Sequence, residues 1–205
     1  MSFLGLGDLA AARRAIAGRP PEMEAADLVM NFGLYWDLMW VLDAEQQELL
    51  FSLPTEAFGG DAASRALVFA QTHALNGNMN EARRFADEAQ RGFAIQAAQN
   101  LGNEQLLVAH GLSLAYLGRR VEAIREGQRA LDLVPASRDA YAAQYTQHQL
   151  VRILMILGER DKALDLLEPL LSTPYYLSPA WLAIDPNFAP LKGHPRFEKL
   201  LASGR

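Results

Sequence analysis

LVAHGLSLAYLGRRVEAIREGQRALDLVP, residues 107–135, is the stretch on which the fold of this chain turns. Leu107, Gly111, Leu114 and Leu117 recur at spacings of four and three, which is one face of a helix. After Gly118 a second such face follows, made of Ala123, Gly127, Ala130 and Leu131. A glycine between two helical patterns predicts a turn, and Pro135, which has no donor for another turn, closes the second helix. The unit reads as two helices folded back on each other. Aligned on the turn, echoes of it fall at Gly7, Leu42, Gly77, Gly118 and Gly158, with spacings of 35, 35, 41 and 40. Five residues further on stand Ala12, Gln47, Ala82, Ala123 and Ala163. Small side chains at one phase of a helix are what close helix packing requires, because overpacking such a site typically costs ~1–3 kcal/mol.

The expected layout is a second-type helix at 8–18 (a partial repeat over 1–19), then helical hairpins at 25–53, 61–100, 103–133 and 138–172, and a capping segment at 175–205. Pro20-Pro21, Pro54 to Gly60 and Pro135 to Ser137 punctuate them. No stretch sustains a period of two, so the chain of 205 residues is expected to be one all-α domain: an α-solenoid of antiparallel helix pairs with a C-terminal cap. It begins with the back half of a unit. Either a longer protein continues it, or the apolar surface of helix 8–18 (Leu9, Ala12, Ile16) is covered by another domain or a second copy through self-association.

The formal charge is −5, and no Lys/Arg run exceeds two residues. A phosphate backbone or an anionic membrane surface calls for clustered cations, so neither nucleic acid nor membrane is an expected partner. The absence of cysteine removes disulfides, thiolate metal sites and cysteine nucleophiles. No leader pattern and no long apolar run is present, and a cytoplasmic protein is expected. Phosphate-binding glycine loops and the nucleophile-elbow motif are missing, so neither enzyme activity nor a cofactor is expected. His73, His110 and His148 stand once per repeat but without Glu or Asp at ligand spacing, which reads as packing rather than metal binding. Glu81 with Glu88, and Glu122 with Glu126, stand among arginines and read as solvated charge.

Residues 107–135 resemble the tetratricopeptide repeat: Leu107, Gly111, Leu114, Ala123, Ala130 and Pro135 occupy the positions where that family carries Trp, Gly, Tyr, Ala, Ala and Pro. The other units keep only the turn and the small-residue core, and the last two spacings exceed the family's ~34 residues. The tail is similar to the C-terminal tails of large bacterial regulators that place such repeats behind a kinase, cyclase or winged-helix domain. Asp185-Pro186, Phe188, Pro190-Leu191 and Pro195-Arg196-Phe197 carry that likeness. Trp181, Leu182, Ile184, Phe188, Leu191, Phe197, Leu200 and Leu201 supply a cap's apolar side chains.

The resemblance implies a right-handed superhelix whose first helices line a concave groove. Charge is missing from those helices: Ala66 to Leu75, Leu106 to Leu117 and Ala140 to Val151 have none. A neutral groove of this kind suits a protein or peptide partner, and the family's groove positions fall on Phe32, Trp36, Met39, Trp40, Gln71, Leu112, Tyr116, Tyr145, His148 and Arg152. Aromatic residues at helical spacing also build cores, so both readings stand for these positions. The Lys and Asn clamp that chaperone-binding members use for a terminal carboxylate is not found here. The expected function is a protein-interaction scaffold, with a sensor or spacer of a signalling enzyme as the alternative and a small-molecule binder or hydrolase as a minor one.

Overall fold

A computed structural model describes residues 1–203, and among these it places helices and turns but no strand. Gly204 and Arg205, the last residues of the expected cap, lie outside the described residues. The N-terminal half holds α1 (Ser2–Gly5), α2 (Leu9–Ala17), α3 (Ala25–Leu34), α4 (Ala44–Ser52), α5 (Ala62–Leu75) and α6 (Met79–Gln99). Then come α7 (Glu104–Tyr116), α8 (Arg120–Leu133), α9 (Ala140–Ile156), α10 (Arg160–Leu171), α11 (Pro179–Ile184) and α12 (Pro195–Ala202). Short 3-10 turns stand at Met39–Val41, Thr55–Phe58 and Pro186–Leu191. No helix among the described residues is long and apolar enough to cross a membrane.

The echo in the sequence has a backbone cause. Gly7, Gly77, Gly118 and Gly158 all adopt φ between 73° and 77°, the left-handed conformation that costs glycine nothing. At each, the N–H of the next residue donates to a carbonyl five residues back: Asp8 to Phe3 (2.9 Å), Asn78 to His73 (2.8 Å), Arg119 to Leu114 (2.9 Å) and Glu159 to Leu154 (2.9 Å). The same helix-ending motif is therefore used four times. The fifth echo, Leu42, departs from it with φ −59° and ψ 135°, after a 3-10 turn.

The alanines five residues on are buried because successive helices meet there: Ala82, Ala123 and Ala163 are 0 % exposed and Ala12 is 9 %. Along the chain α5 packs on α6, α6 on α7, α7 on α8, α8 on α9 and α9 on α10. Gly111 and Gly127 let α9 approach α7 and α8 closely. A Cβ at Gly111 would stand 2.9 Å from Ile153 Cδ1, and one at Gly127 would stand 2.7 Å from Leu150 Cδ1.

The uncharged helices are uncharged because they are interior. α7 buries an unbroken run from Gly111 to Tyr116 as well as Leu107, Val108 and Ala109, so it is covered on all sides. α9 buries every residue from His148 to Met155. What covers them is neighbouring helices and, over α9, the C-terminal end of the chain. The Pro186–Leu191 turn packs on α9, α12 packs on α10, and α11 reaches back to α1, where Ser178 Oγ donates to the carbonyl of Gly5 at 2.6 Å. One continuous apolar cluster runs from Leu4 to Phe197.

Three expectations need correction. The surface of helix 8–18 is mostly covered from within the chain: Ala12 and Ile16 are buried and only Leu9 is half-buried. The first helix of the hairpin expected at 25–53 does not run to the turn at Leu42; α3 stops at Leu34, and the following turn carries Asp37 into the interior. Glu126 is not solvated charge. It is 2 % exposed and held by Arg129 (2.7 Å) and Arg125 (3.1 Å).

Candidate functional site

Of the ten residues expected to line a groove, the structure places seven in the interior. Met39 is 1 % exposed, Trp40 5 %, Gln71 0 %, Leu112 0 %, Tyr116 8 %, His148 1 % and Arg152 2 %. Segments 35–41 and 175–191 lie over the neutral face on which those positions stand. The other three, Phe32, Trp36 and Tyr145, are half-buried. Phe32 sits in an apolar groove beside Leu4, Ile16 and Leu28, away from Trp36 and Tyr145, which share a cleft.

Several of the buried residues form a polar network that the sequence reading did not assemble. Asp37, 1 % exposed, accepts hydrogen bonds from Gln149 Nε2 at 2.8 Å and from the Tyr176 hydroxyl at 2.7 Å. Arg152 donates to Gln149 Oε1 at 3.0 Å and to Gln71 Oε1 at 2.7 Å, and its guanidinium lies 3.6 Å from Asp37 Oδ1. His148 Nδ1 stands 3.2 Å from the Tyr176 hydroxyl and 3.8 Å from Asp37, and its ring stacks on Phe188 at 5.9 Å. Burial, and after it the Asp37 carboxylate, pushes the Tyr176 phenol well up.

An Asp, a His and two tyrosines in contact are groups that proton-transfer chemistry uses, but a reacting group must be reached by its substrate. His148 is shielded by Phe188 and by Tyr175 and Tyr176, so the geometry describes a packed interior. The other histidines are placed differently. His73 is stacked between Phe51 (4.3 Å) and Phe85 (5.5 Å), and His194 Nε2 lies 3.2 Å from Asp161. No group of three potential metal-ligating side chains gathers among the described residues.

The buried titratable groups predict opposing pH effects. Burial holds the His148 imidazole down at about 4, against the pull of Asp37 and aided by Arg152. A folded value below the unfolded 6.5 means stability present above pH ~6.5 and lost as pH falls towards 4. Burial raises Asp185 to about 6, although Asn187 and the Trp181 indole donate to it. A raised carboxylate gives stability present below pH ~4 and lost as pH rises through 6. Urea midpoints at pH 4, 5, 6 and 7 are therefore expected to separate two variants. Asp185→Asn should gain on the wild type as pH rises over this range, and His148→Gln should gain on it as pH falls. Parallel profiles for both would mean that neither group is buried in solution.

One accessible cleft, of about 230 Å³, lies between the α3–α4 connection and α9 and is lined by Leu34, Tyr35, Trp36, Gln105, Tyr141 and Tyr145. Tyr35 and Tyr141 are 46 % and 57 % exposed, and no lining residue is charged. A second cleft of about 140 Å³ includes Tyr116, Arg152, Met155, Pro186 and Asn187 in its wall. Sequence reasoning identified Trp36 and Tyr145 but missed Tyr35 and Tyr141, whose adjacency depends on two segments a hundred residues apart. Comparison of the chain with protein-family models, with curated proteins and with solved structures found no match in any of the three.

Proposed function

We propose that this chain is a tetratricopeptide-like module of antiparallel helix pairs stacked in a right-handed solenoid, and that it binds a protein or peptide partner. The partner docks at the cleft of Tyr35, Trp36, Tyr141 and Tyr145 rather than along the whole neutral face. Recurrence of the same glycine turn and buried alanine in four units supports the repeat reading. The observation that carries the binding reading is the convergence of four aromatic side chains on one concave place, Tyr35 and Tyr141 exposed and Trp36 and Tyr145 half-buried. Buried aromatics explain themselves through the core, whereas exposed aromatics of this kind are typical of interface anchors.

The spacer reading draws on a different observation, the filling of the rest of the face by residues 35–41 and 175–191, which leaves little of it for a partner. One experiment separates the two. Photoreactive benzoylphenylalanine placed at Tyr141 should capture a discrete partner in cells, while the same group at Val121, 78 % exposed and on α8, should not. Trp36→Ala should abolish the capture at position 141 without lowering the melting temperature by more than a few degrees. Equal capture at both positions, or none at either, would favour the spacer.

A further inference from the structure

We propose that the partner presents a methylated ammonium group to the cleft of Leu34, Tyr35, Trp36, Gln105, Tyr141 and Tyr145, which acts as an aromatic cage. The inference takes its partner from the reading above, and its chemistry from three separate observations.

The first is the lining. Four of the six residues are aromatic, they come from two remote segments, and none is charged. Ring faces carry negative charge density that attracts a cation, and several rings around one point are the arrangement that recognises quaternary ammonium groups. The second is what lies behind the rings. Asp37 follows Trp36 directly, and its carboxylate is buried, so its field is poorly screened by solvent. Its counter-charge, the Arg152 guanidinium 3.6 Å away, lies on the other side, where it forms part of the second cleft beside Tyr116, Pro186 and Asn187. The ion pair is thus a dipole across the interior, with its negative end at the aromatic cleft. The tyrosines respond accordingly. The Tyr141 phenol is pushed up by burial, by Tyr35 and by Asp37, and the Tyr145 phenol by burial and then Asp37 against a smaller pull from Arg152, whereas the Tyr116 phenol, raised by burial, is pulled back down by Arg152.

The third is size and polarity. At about 230 Å³ the cleft is smaller than the ~300–1,000 Å³ of sites for drug-sized molecules, so it suits a single head group. A bare lysine ammonium would bring three N–H donors and a strongly held hydration shell, which ring faces cannot replace. Methylation removes those donors and keeps the charge. An anion would be repelled by the ring faces and by the field of the buried Asp37.

Choline chloride is the probe, and 3,3-dimethyl-1-butanol, of the same shape without the charge, is its control. The three indole N–H resonances make the readout local: Trp40 and Trp181 are buried and hydrogen-bonded to Asp37 O and Asp185 Oδ2, leaving Trp36 as the reporter. Choline should shift the Trp36 resonance saturably at constant ionic strength, and the neutral alcohol should need at least about tenfold higher concentration. Tyr141→Leu, at a position 57 % exposed, should weaken choline by about tenfold while leaving the Trp40 and Trp181 resonances in place. Equal binding of the two probes, or no shift with choline, would overturn the ammonium inference. If choline fails while position 141 still captures a partner, the inference falls alone. If choline binds and no partner is captured, the cage stands and the protein-partner reading falls.

Discussion

Asp37→Ala should destabilise the protein by ~3–5 kcal/mol, the cost of removing one member of a buried ion pair. Asp37 is one of two lone charges in long apolar runs. Between Leu28 and Leu42 it is the only ionisable side chain apart from Tyr35, and between Ala140 and Ile156 Arg152 is the only Arg, Lys, Asp or Glu. Each is at most 2 % exposed, and the pair is 3.6 Å apart. Without the carboxylate, Arg152 becomes a buried cation with no counter-charge in contact, and Gln149 Nε2 and the Tyr176 hydroxyl lose their acceptor. Against a total stability of ~5–15 kcal/mol, such a loss is large. For a domain of this size it corresponds to roughly 6–20 °C in melting temperature. The control is the double variant Asp37→Leu/Arg152→Met, which removes both charges and should recover most of the loss, because buried pairs are often worth no more than well-packed apolar replacements. Urea unfolding followed by circular dichroism measures both. A single-variant cost under about 1 kcal/mol would show that water reaches the pair, and the electrostatic argument for the aromatic cleft would fall with it.

The repeating part of the fold was legible in the sequence because its causes are local. Gly77, Gly118 and Gly158 end helices through a backbone conformation that glycine adopts freely, and Ala82, Ala123 and Ala163 report a close contact five residues later. Leu42 broke the glycine pattern, and that is where the structure departs from a helical hairpin. The groove was not legible for the opposite reason. Whether His148 or Gln149 faces solvent depends on segments 35–41 and 175–191, which reach them only after the chain has closed on itself. Absence of charge from Ala66 to Leu75, Leu106 to Leu117 and Ala140 to Val151 fits an open neutral groove and a doubly covered interior equally well. The lone Asp37 and lone Arg152 were the signal that could have decided between them, since isolated opposite charges in apolar runs are rarely buried unless they meet.

Trp181→Ala tests that closure directly and should cost ~3–5 kcal/mol, the range for emptying the site of a large buried aromatic. Trp181 is 0 % exposed, and its ring meets Trp40 edge-on at 6.4 Å and Tyr176 at 5.3 Å. Its indole N–H donates to Asp185 Oδ2 at 3.0 Å, and its backbone N–H is capped by Ser178 Oγ, the same hydroxyl that reaches Gly5. Truncation therefore removes apolar contacts, takes a donor from a buried carboxylate and opens space beside Trp40. A cap that merely covered the last helix pair would lose only its own packing. Residues that share a cavity instead couple, so a double-mutant cycle of Trp181→Ala with Trp40→Ala should give an interaction energy of ~0.5–3 kcal/mol. Hydrogen exchange supplies a second reading. The amides of Gly5, Leu6 and Gly7, which donate within the first turn, should lose protection in Trp181→Ala although the substitution lies more than 170 residues away. Additive costs in the cycle with unchanged exchange at those amides would mean that the two ends of the chain do not meet in solution. The neutral face would then be open, and the original groove, with His148 and Arg152 along it, would return as the binding surface.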